Sequence, residues 1–139
     1  KGSGPRRLKA RGERLSRQSS SLPNFGALCR ASWRSGRLWA LAPAIGGPYV
    51  GTATSVVRDL ADRQLLVNVV TRKGGALRAE LLDGGGRVLK GFSTRECEPV
   101  RGDHHRMILR WQGGKRAPKA ASRVRFLLQR CFLYGFDVN

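Results

Sequence analysis

The chain has 139 residues, enough for one domain with an appended arm. Its 27 Lys and Arg stand against 9 Asp and Glu, a formal net charge of +18. Solubility needs far less, so the excess points to a polyanionic partner: RNA, DNA, an anionic membrane or an acidic protein surface. No apolar run approaches the length that crosses a bilayer, and no secretory apolar region opens the chain.

Residues 1–20 carry Lys1, Arg6, Arg7, Lys9, Arg11, Arg14 and Arg17 with a single acid, Glu13, and almost nothing apolar. Such a segment cannot build a core of its own, and its Arg-rich, acid-poor composition resembles a mitochondrial targeting remnant. It reads as a basic extended arm whose partner is phosphate, because each contacted phosphate releases condensed counterions. Residues 21–31 follow as a linker with Leu22, Phe25 and Leu28 as anchors. The expected division is therefore an arm and linker over 1–31 and a folded domain over 32–139.

Trp33 to Leu41 reads as a turn and a first strand. Trp33, Trp39 and Tyr49 are candidates for a platform on which bases or sugars stack. Packing at the edge of the core is the leading expectation for them, since aromatics serve cores more often than platforms. Ala42 to Gly51 is a Pro- and Gly-rich loop. Thr52 to Val57 is β-prone, Asp59 to Asp62 forms the next turn, and Gln64 to Val70 is a nearly continuous apolar run suited to a central strand covered on both faces. Thr71-Arg72-Lys73-Gly74-Gly75 reads as a hairpin.

Leu77, Ala79 and Leu81 then alternate with Arg78 and Glu80, a strand with one buried and one wet face. Asp83-Gly84-Gly85-Gly86 is a tight turn, Val88 to Phe92 a returning strand, Ser93 to His105 a polar loop, and Arg106 to Trp111 a third strand. The segment Gln112 to Ser122 is a mobile loop carrying Lys115, Arg116 and Lys119, and it leads to Arg123. With the arm residues Arg6, Arg7, Lys9, Arg11, Arg14 and Arg17, these four form the expected RNA-binding set. Arg123 to Leu128 and Phe132 to Val138 are the closing strands. No helix longer than a turn or two is required.

Cys29, Cys97 and Cys131 are odd in number and lack a C-x-x-C spacing, which argues against a zinc ribbon or a disulfide framework. Reduced thiols favour an intracellular or organellar compartment. Glu96, Glu98, Asp103, His104 and His105 cluster in one loop. Adjacent histidines on an extended chain point to opposite faces, the acids sit beside Arg95 and Arg101, which predicts local ion pairing, and Asp103 suits a turn-capping role. No metal site, cofactor or catalytic residue is assigned. A glycosidase needs two opposed carboxylates in a cleft, and no nucleotide-binding or nucleophile motif occurs.

Leu81-Leu82-Asp83, Gly91-Phe92-Ser93, Glu96-Cys97-Glu98-Pro99, Gly102-Asp103, Trp111-Gln112-Gly113-Gly114, Val124-Arg125-Phe126 and Leu133-Tyr134 resemble a β-sandwich module. It is found at the end of many bacterial, especially planctomycete, secreted proteins similar to family 32 glycosyl hydrolases. The resemblance spans Trp33 to Val138 and is densest from Leu65 onward. It implies an ancillary, non-catalytic sandwich, and by analogy a carbohydrate-binding one in which Trp33, Trp39 and Tyr49 stack on sugar rings. The basic segment around Lys115 departs from the more neutral one expected in that module.

The combined expectation is an all-β protein: an antiparallel, jelly-roll-like β-sandwich with a basic N-terminal arm. Its expected role is a non-catalytic RNA-binding subunit of a large ribonucleoprotein, an organellar (mitochondrial) ribosome above others. Ribosomal RNA and neighbouring proteins are the expected partners, with no membrane span and no small-molecule substrate. The alternatives are the carbohydrate-binding module and an accessory subunit of an organellar protein complex.

Overall fold

The apolar run at Gln64–Val70 continues as a strand well past the glycines that follow it. In the computed structural model, which describes residues 31–43 and 50–139, β2 spans Leu65–Leu82 without a hairpin. The other strands are β1 (Val50–Thr54), β3 (Asp103–Ile108) and β4 (Arg123–Val138). All pair antiparallel in one open sheet of order β1-β4-β2-β3, and there is no helix among the described residues. The chain divides into two units, 1–34 and 35–139, and the sheet lies in the second.

Thr71 to Gly75, expected to turn the chain, instead forms a wide bulge. Thr71 pairs with Cys131 and Ala76 with Gln129, so Arg72, Lys73, Gly74 and Gly75 stand opposite Arg130 alone. Arg130 takes φ 44° and Gly74 φ 74°, and extra residues of this kind bend a ladder. The two expected closing strands are accordingly one long strand, β4, broken in register at Arg130.

The bend is large. Phe126 and Phe136 lie in the same strand, ten residues apart, which in a flat strand is roughly 33 Å. Their ring centroids are 5.2 Å apart. The sheet is therefore folded over its own core. Leu65, Val67, Val69, Cys131 and Leu133 from one half join Leu77, Ala79, Leu81, Val124, Phe126 and Leu128 from the other in one buried cluster. Burying each of the Leu, Val and Phe side chains among them stabilises by about 1.5–3 kcal/mol, and that gain holds the corner bent.

Residues 83–122 complete the core and satisfy the edge of β2 that β4 leaves open. Beyond β3, Leu77 exchanges backbone hydrogen bonds with Val100, and Leu81 does so with Phe92 and Leu89. Between them side chains take over: Trp111 Nε1 donates to Ala79 O at 2.8 Å, and Ala79 N donates to Cys97 Sγ at 3.3 Å. Every buried backbone group needs such a partner. The expected strand Val88–Phe92 reduces to a single bridge, Leu82↔Val88. The expected first strand over Trp33–Leu41 reduces to the bridge Leu41↔Leu133. The turn at Asp83–Gly86 forms as expected: Gly86 N donates to Asp83 O at 3.0 Å, and Arg87 N to Asp83 Oδ1 at 3.0 Å.

Candidate nucleic-acid interface

The distribution of charge is set first by how the few acids are used. Asp83 pairs with Arg87 at 3.0 Å, Asp103 with Arg37 at 2.6 Å, Asp137 with Arg106 at 3.4 Å, and Glu80 with Arg125. Glu80 and Arg125 are directly opposed across β2 and β4 on the face away from the core. Glu80 is buried, and such a carboxylate is tolerated only when paired. Glu96 is held differently: Ser93 N donates to its Oε2 at 2.9 Å and Ser93 Oγ at 2.7 Å. Those bonds, the backbone one first, hold the Glu96 carboxyl below its ordinary range. At Asp83 the backbone hydrogen bond from Arg87 leads the same downward shift.

Arg37 is the most enclosed of these cations. Its Nε donates to Asn68 Oδ1 at 2.9 Å and its guanidinium lies 5.3 Å from the Tyr134 ring centroid. Stacking over an aromatic face and a fixed fork to a carboxylate are what guanidinium geometry does best. Asp103 thus anchors a strand edge through Arg37. The expected local pairing with Arg101 and the turn-capping role give way to this long-range contact. Ser93 likewise takes the role at Glu96 that Arg95 was expected to fill.

Of the expected RNA-binding residues, Arg6, Arg7, Lys9, Arg11, Arg14 and Arg17 lie outside the described residues. Lys115, Arg116 and Lys119 are all exposed, and their segment is tied to the domain by buried alanines and backbone hydrogen bonds. Ala117 and Ala121 are buried in the core. Ala117 N donates to Arg63 O and Asp62 N to Ala117 O, while Arg116 Nη1 donates to Asp62 O at 2.7 Å. The two alanines are small enough to enter the core between lysines and arginines, and they present the charges on a fixed turn. Arg123 is not on that loop: it opens β4, half-buried, with its Nε enclosed and without a hydrogen-bond partner.

The two tryptophan candidates reverse the leading expectation. Trp39 is 82% exposed and Trp33, in the first unit, 55%, so neither is a core residue. Tyr49 lies outside the described residues. Beside Trp39 an apolar groove of about 430 Å³ is lined by Leu41, Ala53, Phe126, Leu133 and Phe136. Arg58 lies over the Phe136 ring at 5.9 Å.

His104 Nε2 donates to Arg101 O at 2.6 Å, and His105 is exposed beside it. Among the described residues no three metal-ligating side chains converge. Cys97 and Cys131 are free thiols in the core. Burial pushes Cys97 up to about 11 and raises Cys131 as well, which leaves both protonated and poorly nucleophilic at neutral pH. No helix among the described residues is long and apolar enough to cross a membrane.

The cations at the corner of the sheet, Arg72, Lys73 and Arg130, do not stand out in the sequence. Their signal is the adjacent Arg-Lys pair within a glycine-containing run, but composition alone assigns that run to a turn. No protein family, no curated protein and no solved structure matches this chain.

Proposed function

We propose that the protein is a non-catalytic RNA-binding subunit of a large ribonucleoprotein inside the cell, an organellar (mitochondrial) ribosome being the assembly its composition fits best. The observation that carries this reading is the charge balance. The 27 basic residues exceed the 9 acids threefold, and four of those acids are already consumed by Arg37, Arg87, Arg106 and Arg125. What faces solvent is a cationic excess without internal compensation, which phosphates neutralise with little sequence readout.

In this reading the two halves of the folded sheet are the layers of a sandwich, and the sandwich is a rigid spacer. The one buried cluster between the halves supports it. The arm residues and the fixed turn bearing Lys115, Arg116 and Lys119 are the phosphate contacts. Ribosomal RNA and neighbouring proteins are the partners. Filter binding of the full chain to RNA across a salt series tests this. Affinity is expected to fall by a factor on the order of 10³ between about 50 and 200 mM salt, as for a protein that engages several phosphates. A flat salt dependence refutes it.

A second reading rests on Trp39. An exposed indole beside an apolar groove suits the face of a sugar ring, as the resemblance to an ancillary carbohydrate-binding module implies. It predicts saccharide binding that survives high salt and is lost in Trp39→Ala.

A further inference from the structure

The corner at which the sheet folds carries cations on a backbone that does not require them. Arg130 sits at φ 44°, a left-handed conformation that glycine or asparagine adopts readily and a long side chain adopts at a cost. Its side chain reaches over the bulge: Nη1 lies 3.9 Å from the place a Cβ on Gly74 would occupy. Position 75 admits no side chain at all, since a Cβ there would meet Arg130 O at 2.5 Å and Gln129 O at 2.7 Å. The two strands are locked together at this point, and the side chains they carry are held in fixed relation.

Arg72 is held as well. Its guanidinium stacks on Phe132, 4.9 Å from the ring centroid, on the face of the sheet opposite the buried Val69 and Leu133. Lys73 follows it, exposed. A neighbouring turn brings a fourth cation: Thr71 N donates to Gly102 O at 2.9 Å and Gly102 N donates to Thr71 Oγ1 at 2.7 Å, which places Arg101 beside the bulge. The acid next along the chain, Asp103, is engaged by Arg37.

We infer that this corner grips the phosphate backbone of single-stranded RNA, with Arg72, Lys73 and Arg130 as the contacting cations and Arg101 at the rim. The inference rests on the reading of the chain as RNA-binding and deepens it by naming a surface within the folded domain. Guanidinium forks bind phosphate oxygens in bidentate fashion, and stacking on Phe132 removes part of the ordering cost for Arg72. A convex corner with repeated positive charge suits a flexible chain of repeated negative charge, which wraps it. A rigid acidic protein face meets such a corner at one point.

The test uses the full chain and a labelled single-stranded RNA of roughly 20 nucleotides, with binding followed by fluorescence anisotropy from about 50 to 200 mM salt. Two variants are compared with the parent: the double substitution Arg72→Ala/Lys73→Ala, and Arg130→Asn, which keeps the left-handed backbone accessible. Each is expected to bind roughly three- to tenfold more weakly. The slope of log affinity against log salt should become shallower by about 0.7 for each phosphate that the variant no longer neutralises. Cooperative thermal unfolding of both variants checks that the corner still forms. Parent binding with unchanged affinity and slope in both folded variants overturns the corner while leaving the RNA reading in place. A parent chain that does not bind RNA overturns both.

Discussion

Gly75→Ala is the substitution that probes the folded sheet most sharply. A Cβ at position 75 would stand 2.5, 2.7 and 3.0 Å from the carbonyl oxygens of Arg130, Gln129 and Arg72. A relaxed carbon–oxygen contact is about 3.3 Å, so overlaps of roughly 0.3 to 0.8 Å must be relieved, and all three oxygens belong to backbone. No rotamer change helps. The cost belongs at the upper end of overpacking, about 3 kcal/mol, a large share of the ~5–15 kcal/mol that holds a domain folded. For a domain of this size that lowers the thermal midpoint by roughly 12–24 °C. Gly135→Ala is the control: nothing lies within 4 Å of its Cβ position, and the change is expected to be neutral or to stabilise by about 0.5 kcal/mol through the unfolded chain. Circular dichroism melts of the three proteins decide it. If Gly75→Ala melts within about 3 °C of the parent, the corner is not locked as described.

Other consequences follow from single contacts. Trp111→Phe removes the Nε1 donor to Ala79 O, leaving that carbonyl buried without its partner, and should cost about 1–3 kcal/mol in urea unfolding. In a Cys29→Ser background, Cys97 and Cys131 should react with a thiol reagent at neutral pH only as the protein unfolds; rapid labelling of the native state would contradict their burial. Because the Cys97 thiol is raised from 9.0 to about 11 in the fold, it contributes stability below pH 9 that declines as pH rises from 9 toward 11. For Glu96 and Asp83 the sign is opposite. Their folded values are depressed from 4.5 and 3.8, so their contribution is present above those values and declines as pH falls below them. Substituting Glu96 by Ala should flatten the acid limb of a stability–pH profile.

Much of the fold was legible where local chemistry decides. The run from Leu65 to Val70 is apolar but for Asn68 and became an inner strand of the sheet, with Leu65, Val67 and Val69 in the core and Asn68 and Val70 only half-buried on the other face, and Asp83-Gly84-Gly85-Gly86 became the turn its residues favour. The rest was settled by distant partners. Thr71 to Gly75 has the composition of a hairpin turn, yet β4 runs alongside it and its Arg130 absorbs the register gap, so the chain continues straight through pairing and bends as a bulge. Val88 to Phe92 has strand-like residues, but side chains of Trp111 and Cys97 occupy part of the edge it would have extended. Ala117 and Ala121 gave no sign in sequence that they reach the core and tie down the basic turn. For the candidate site, the excess of charge was plain in composition, whereas its division between compensated and uncompensated cations depends on long-range pairs such as Arg37 with Asp103. The exposure of Trp39 was equally invisible, because an indole reads the same whether or not the fold provides a cover.

Membership of this chain in an RNA-containing particle is decided by its sedimentation in native extract through a sucrose gradient, with and without ribonuclease. Co-migration with a large particle, and release to the top of the gradient after ribonuclease treatment, is the predicted result. Sedimentation that ribonuclease leaves unchanged would contradict it and transfer the cationic surface to an acidic protein partner.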